Sequence, residues 1–171
     1  MYYYLSDLHL FHENIIHLCD RPFASAKEMA EEIIKNWKEQ VTDEDTVFIL
    51  GDVGLYHVDE IAEILNHLPG KKVLIKGNHD IYNLKSKTFR NCFEKISSYL
   101  EVKDGNDIIA LFHYPIEEWN GFFRNRLHFH GHVHNKEENL KKIPGRYNVS
   151  VDVLGYSPRT KEEIISGKKG E

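Results

Sequence analysis

Five short stretches hold most of the residues that can do chemistry: Asp7-Leu8-His9, Gly51-Asp52, Gly77-Asn78-His79-Asp80, His113, and Gly131-His132-Val133-His134. Their side chains are imidazole, carboxylate and carboxamide, with no thiolate. Seven of them are metal-competent donors: Asp7, His9, Asp52, Asn78, His113, His132 and His134. That is too many for one tetrahedral ion and suits two divalent ions of five- or six-fold coordination. The donor mix favours Mn²⁺, Fe or Zn²⁺ over a structural zinc, with Mn²⁺ the first choice. Two ions that share a carboxylate sit about 3.5–4 Å apart and can hold a bridging hydroxide, a device for phosphoester hydrolysis.

Each stretch follows an apolar, β-rich run. YYYLS (2–6) leads into Asp7, TVFIL (46–50) into Asp52, KVLIK (72–76) into Asn78, DIIALF (107–112) into His113, and LHFH (127–130) into His132. A sixth run is YNVSV (147–151). In α/β sheets ligands bind at the carboxyl ends of strands, so five such ends can converge on one site. The glycines at 51, 77 and 131 permit tight turns there.

Helices are expected between the strands. Ser25-x-x-Glu28 reads as a capping box, followed by a stripe of Met29, Ile33 and Trp37 that belongs to a core. Val58, Ile61, Leu65 and Leu68 share one face of a second helix over about 57–68, stopped by Pro69-Gly70. The stretch 93–102 reads as one or two strands, and Thr160-x-x-Glu163 opens a short last helix. The alternation predicts an α/β domain with largely parallel early strands, one domain over 1–171.

Composition is that of an ordinary globular chain, 41% apolar and 29% charged. No apolar run approaches the roughly 20 residues of a membrane helix, and the start lacks a basic-then-apolar leader. A membrane partner is therefore not expected, and a cytoplasmic location is. The net charge of −5 argues against non-specific nucleic-acid binding, which needs a basic footprint. Cys19 and Cys92 form no CxxC and read as reduced, buried thiols. Oligomeric state is not readable.

The five motifs, in this order over residues 7–134, resemble the calcineurin-like metallophosphoesterase superfamily. The pattern DLHLFHENII, RPF, HYP and NVSVD is similar to a group of small prokaryotic and phage phosphoesterases. The resemblance implies a two-sheet sandwich flanked by helices. It also implies that Asp7, His9 and His134 hold one metal, that Asn78, His113 and His132 hold the other, and that Asp52 bridges them. His79 would contact the phosphoryl oxygen or protonate the leaving group, and Asp80 would orient His79 through a ring nitrogen. The chain departs from the serine/threonine phosphatase branch: Val53-Gly54 follows Asp52, and GNHD stands in place of GNHE. There is no room for large cap regions, so a phosphodiesterase is favoured over a monoesterase, on a small phosphorylated or nucleotide substrate. The competing class is a phosphoesterase-fold scaffold that binds proteins with little turnover. Such a scaffold is free to lose ligands, whereas all seven and His79 are present.

Further residues have two readings each. His12 is either a surface histidine at a helix start or a phosphate contact, and Asn14 either a helix N-terminal residue or a substrate contact. Arg21 reads as a structural loop residue, with a phosphate contact as the second reading. In EEWNGFFRNR (117–126), Trp119, Phe122, Phe123, Arg124 and Arg126 suit either packing on the core or stacking on a base with Arg124 at a phosphate. The histidines at 128, 130, 132 and 134 alternate, and Gly131 divides them. His130 is expected near the metals or substrate, His128 to be structural or exposed. His17, His57 and His67 read as solvated, as do the charged runs 43–45 and 136–142.

Overall fold

The computed structural model describes residues 1–136 and 140–167. Glu137, Glu138 and Asn139 of the charged run lie outside the described residues. The apolar runs form strands as expected. β1 (Tyr2–Leu5), β2 (Thr46–Ile49), β3 (Lys71–Ile75) and β4 (Lys95–Ser97) make one sheet in that order. All its neighbours are parallel, with Leu5 opposite Ile49 and Ile49 opposite Leu74. Parallel neighbours need long crossovers, which helices supply here. Helices α1 (Glu13–Leu18) and α2 (Ala26–Gln40) join β1 to β2, α3 (Val58–His67) joins β2 to β3, and α4 (Asp80–Asn83) and α5 (Lys87–Arg90) join β3 to β4.

The second sheet runs β5 (Tyr99–Asp104), β6 (Asp107–Phe112), β7 (Leu127–His130) and β8 (Arg146–Asn148). β5 and β6 form an antiparallel hairpin, and β6, β7 and β8 are parallel. The stretch 93–102 thus spans two strands in two different sheets. A 3₁₀ turn, Phe122–Arg124, lies between β6 and β7, and α6 (Val151–Leu154) and α7 (Lys161–Ser166) follow β8.

Local signals behave with small corrections. The Ser25 hydroxyl accepts from Glu28 N at 3.1 Å, but the Glu28 carboxylate reaches Ala24 N rather than Ser25 N, so the box is open by one residue. At Thr160 the full capping box forms. The last strand is shorter than expected: β8 ends at Asn148 and Val151 already opens α6. The reason is local. The Asn148 side chain accepts from Ser150 N at 2.9 Å, and Ser150 leaves the sheet to pair with Ser6.

That pairing joins the two sheets. Ser6 N donates to Val149 O, and Val151 N donates to Ser6 O, so the end of β1 meets the end of β8. Between the sheets the Tyr4 ring stacks on Phe48 (5.3 Å) and meets Phe129 edge-on (4.9 Å). Side chains alternate along a strand, so Tyr3, Leu5, Val47 and Ile49 face the other side, toward the helices. The Tyr3 hydroxyl accordingly donates to Gln40 O at the end of α2. Met29, Ile33 and Trp37 are fully buried in one cluster with these strand residues. No helix among the described residues is long and apolar enough to cross a membrane.

Phe129 links the sheets through Tyr4, and truncating a buried phenylalanine costs about 3–5 kcal/mol. Phe129→Ala should therefore lower the unfolding free energy by about that much in urea denaturation. A loss below about 1 kcal/mol would show that the sheets do not share this core.

Candidate active site

The backbone does not stop pairing where the strands end. Asp7 N donates to Gly51 O, His9 N to Asp52 O and Leu10 N to Val53 O, each at 3.0 Å, so the two loops run on side by side. Along them the chain repeatedly enters the left-handed region. Among the described residues eleven non-glycine residues have positive φ, and five of them belong to the seven expected donors: Asp7 (58°), His9 (50°), Asp52 (54°), His132 (71°) and His134 (53°). Such conformations cost energy for a residue with a Cβ and are held only where surrounding contacts enforce them.

Two glycines are required by proximity rather than by turning. A Cβ on Gly77 would stand 2.2 Å from Asp52 Oδ1, and one on Gly131 would stand 2.2 Å from Ser6 Oγ and 2.4 Å from Asp7 Oδ2. The carboxylates sit where side chains would otherwise be.

The structure brings all seven donors to this place. Donor atoms of Asp7, His9 and His134 lie within 4.8 Å of one another, as do those of Asp7, Asp52 and His113. Asn78 Oδ1 stands 3.0 Å from His113 Nε2 and 3.1 Å from His132 Nδ1. Asp52 Oδ2 lies between the two sets, 3.7 Å from His9 Nε2 and 3.5 Å from His113 Nε2. Asp7 also reaches both groups and accepts from Ser6 Oγ and His132 N.

Three of the imidazoles share one device: Nδ1 is engaged elsewhere and Nε2 is left toward the cluster. His113 Nδ1 is 2.7 Å from Leu50 O, His134 Nδ1 is 2.8 Å from Asp152 Oδ2, and His9 Nδ1 is 3.1 Å from His12 Nδ1. A neutral imidazole that gives its Nδ1 proton to a partner keeps its Nε2 lone pair for a cation. His9 Nε2 is buried and has no hydrogen-bond partner among the described residues. An orphaned buried nitrogen facing a shared carboxylate fits a metal ion that completes its bonding.

Electrostatics agree with a place for positive charge. Burial raises the Asp7 carboxyl above its ordinary value and pushes His9 well below its own. Burial also works against charge on Asp52, but His113, the His79 amide and His9 hold its carboxyl at about 2. For His134, burial is outweighed by Asp152, Cys19 and Asp7, which lift the imidazole to about 10. His113 is likewise raised against its burial by Asp52 and Asp7. The carboxylates here draw in protons, and a divalent cation answers the same demand.

Other expected residues fall differently. His79 is half-buried, with its ring 5.3 Å from that of His9 and its amide donating to Asp52 Oδ1 at 2.9 Å. Asp80 does not orient His79. Its carboxylate is fully buried and accepts from the amides of Asp52, Val53 and Gly77 at 2.8–3.1 Å, so it clamps the β2 and β3 loops together. Both its oxygens are engaged by backbone amides, and no hydrogen bond among the described residues joins it to the His79 ring. His12 touches His9 and is half-buried, whereas Asn14 is exposed on α1. Arg124 is exposed on the 3₁₀ turn, and no hydrogen bond or ion pair among the described residues joins it to the cluster. In the same segment Trp119 is buried against His128, and Arg126 pairs with Glu101.

His128 and His130 are both buried in β7. His128 lies 3.0 Å from Ala110 O and 3.2 Å from Tyr114 O, a structural role, and His130 stands 3.0 Å from Gly131 O. Burial drives His130 down to about 3, so it stays neutral.

One part of the site escaped the sequence reading. Asp152, in the NVSVD stretch, holds His134, and Arg21 holds Asp152 with both carboxylate oxygens at 2.8 Å. Arg21 is buried and also donates to Asp7 O and Leu8 O. One guanidinium therefore fixes the backbone of one donor and, through Asp152, the ring of another. The buried Cys19 thiol stands within 4.8 Å of the same His134 and Asp152 atoms. The sequence reads Arg21 as structural without naming a partner, and for Asp152 the only signal is the NVSVD resemblance, which names no role for it.

Removing an outer partner of a metal-ligating histidine costs about 10–100-fold in metal affinity. Asp152→Asn should weaken Mn²⁺ binding in titration calorimetry by about that factor, with the circular dichroism spectrum unchanged. Unaltered affinity would show that the Asp152–His134 contact is a plain ion pair.

No protein-family model matches the chain. Over 168 residues it is 35% identical to the uncharacterized protein MJ1445 of Methanocaldococcus jannaschii, covering 95% of this chain and 88% of that one. The solved structure of AQ665, a protein of unknown function from Aquifex aeolicus, superposes with a TM-score of 0.79 at 30% identity, covering 97% of this chain and 98% of that one. A novel archaeal phosphodiesterase superposes with a TM-score of 0.54 at 14% identity, covering 95% and 94%, a likeness of fold alone. The chain belongs to one family with MJ1445 and AQ665, and its fold is that of the calcineurin-like metallophosphoesterases.

Proposed function

We propose that the chain is a two-metal phosphoesterase, a phosphodiesterase in preference to a monoesterase, acting on small phosphorylated or nucleotide esters. The observation that carries this is Asp52 Oδ2, placed between His9 Nε2 and His113 Nε2 with an unpartnered nitrogen on one side. Asp7, His9 and His134 would hold one ion, Asn78, His113 and His132 the other, with Asp52 common to both. Mn²⁺ is favoured because the donors are oxygen and imidazole nitrogen. Bound there, the ions would polarise the phosphoryl oxygens and make a water nucleophilic near neutral pH.

The protein's own groups do the rest. Asp52 spends Oδ1 on the His79 amide and keeps Oδ2 for the cluster, which fixes His79 relative to the ligands. The half-buried His79 ring stands beside His9 without being one of the seven ligands. It is placed to stabilise charge on the phosphoryl group or to give a proton to the departing oxygen. His12, with its ring 6.4 Å from that of His79, lies on the same side as a second phosphate contact. Arg21, Asp152 and Asp80 touch no substrate in this scheme; they hold the ligands and loops in register.

His79→Ala should keep both metals by elemental analysis and lose about 10²–10⁴-fold in turnover. Full turnover with two metals bound would remove His79 from the mechanism. Asp52→Asn should lower the occupancy of both ions together; loss of one ion alone would count against bridging. The activity itself is tested with Mn²⁺-reconstituted protein on bis-p-nitrophenyl phosphate, p-nitrophenyl phosphate and 2′,3′- and 3′,5′-cyclic nucleotides. Hydrolysis that a chelator stops and Mn²⁺ restores is the expected result. Inactivity on every substrate would favour a binding scaffold.

A further inference from the structure

A cavity of about 460 Å³ is lined by Leu55, Tyr56, His57, Val58, Tyr82 and Asn83, from the loop that follows Asp52 and the helix that follows His79. Its size falls within the range of about 300–1,000 Å³ usual for small-ligand sites. Two large aromatic side chains on its wall are left in solvent, Tyr56 at 74% and Tyr82 at 73% exposure. Exposed apolar side chains scattered singly need no explanation, but a group at the rim of a cavity marks a ligand surface.

The backbone presents these rings at a cost. Tyr56 (φ 60°) and His57 (φ 39°) are consecutive left-handed residues, neither of them glycine. Strain of this kind persists where the surroundings enforce it and concentrates at functional positions. The enforcement is visible: Leu55 N donates to Leu10 O, Gly54 pairs with Leu10, and His57 is held by Glu60 at 2.6 Å.

The cavity is built on the same segments as the site: Gly54 pairs with Leu10, one residue past His9, and Asn83 donates to Gly54 O. Its first wall leaves the Asp52 loop within a few residues. Its second wall is α4, capped by His79, and Tyr82 follows His79 by three residues, the spacing that puts side chains on one face of a helical turn. Phe11, two residues beyond His9 and next to His12, packs its ring 5.3 Å from that of His57. A phosphoester held at the cluster with His79 at its ester oxygen has this wall as its neighbour.

The lining selects a chemistry. Tyrosine faces take a planar ring by stacking. Asn83 is buried and its Nδ2 donates to Gly54 O at 2.8 Å, so its carboxamide is fixed and Oδ1 remains as the acceptor for an N–H edge. A flat ring with N–H donors on its edge is a nucleobase. We propose that this cavity is a base pocket that holds the nucleobase of a nucleotide ester whose phosphate sits at the metal-ligand cluster. The proposal rests on the phosphoesterase reading and narrows its substrate class to nucleotide esters. It replaces the 117–126 segment as the stacking surface.

The test uses the Mn²⁺-loaded protein. It is titrated with AMP and with inorganic phosphate, and assayed on the p-nitrophenyl ester of thymidine 5′-phosphate against methyl p-nitrophenyl phosphate. AMP should bind about tenfold or more tightly than phosphate, and the nucleotide ester should be preferred by about tenfold or more in kcat/KM. Tyr56→Ala and Tyr82→Ala should each lower both ratios by about five- to tenfold, and Tyr82→Phe should keep them. Both side chains are exposed, so these variants retain the fold, which circular dichroism checks. AMP binding no tighter than phosphate, or ratios unchanged in the double alanine variant, would overturn the pocket. So would a change in oligomeric state on Tyr82→Ala with the ratios intact, because the patch would then be a contact between copies. If neither ester is hydrolysed, the phosphoesterase reading fails, and the AMP-to-phosphate ratio with its response to the double variant still decides the pocket.

Discussion

The site depends on a single oxygen. Asp52 Oδ2 stands between imidazoles that come from the ends of β1 and β6, in different sheets. It can stand there because the other oxygen is tied to the His79 amide and because Asp80 clamps the Asp52, Val53 and Gly77 amides from below. Glycine at 77 is the counterpart of this placement, since a Cβ would overlap the carboxylate. A buried carboxylate is costly unless charge and hydrogen bonds compensate it. Here the compensation comes from amides on one side and from imidazoles, or the cations they would bind, on the other.

The same logic runs outward. Arg21 compensates Asp152, Asp152 fixes His134, and Arg21 also holds the backbone of Asp7 and Leu8. Buried polar groups in such a chain must all be satisfied together, because an unpaired one in a low-dielectric interior is expensive. His9 Nε2 is the one buried side-chain nitrogen or oxygen without a hydrogen-bond partner among the described residues, and it lies where a cation would complete the set. Metal binding and the ordering of this corner of the fold are thereby coupled. The left-handed backbone at five of the donors stores strain at the place where ligands must be aimed rather than where the core is packed.

The two-sheet frame explains why donors far apart in the chain meet. β1 and β8 are joined edge to edge through Ser6 and Ser150, so the ends of strands from both sheets open toward one corner. Tyr4, Phe48 and Phe129 fill the space between the sheets and keep those ends in register. The helices contribute less to chemistry. Even α4, one turn long, matters chiefly because it hangs His79 and Tyr82 from the same short segment.

Much of this was legible in the residues. Apolar runs of strand length, five of the six leading into a donor, located the strands and the corner they share, because side-chain period and strand-end chemistry are local properties. Ser25, Thr160 and Pro69-Gly70 marked helix ends for the same reason. The split of 93–102 between two sheets was not legible, since strand pairing is decided by distant partners. Nor was the role of Asp80: the resemblance implied a contact with the His79 ring, whereas the amides of Asp52 and Val53 in the loop after β2 and of Gly77 in its own loop engage both oxygens. Arg21 and Asp152 lie 131 positions apart and act as a pair only because the fold stacks them. In the row at 128–134, alternation alone pointed four imidazoles one way. The chain by itself determined which atoms are available to bind a cation; only the tertiary structure decided which of them face one another, because that depends on turns, left-handed backbone and close glycine contacts that bring separate strand ends within a few ångströms.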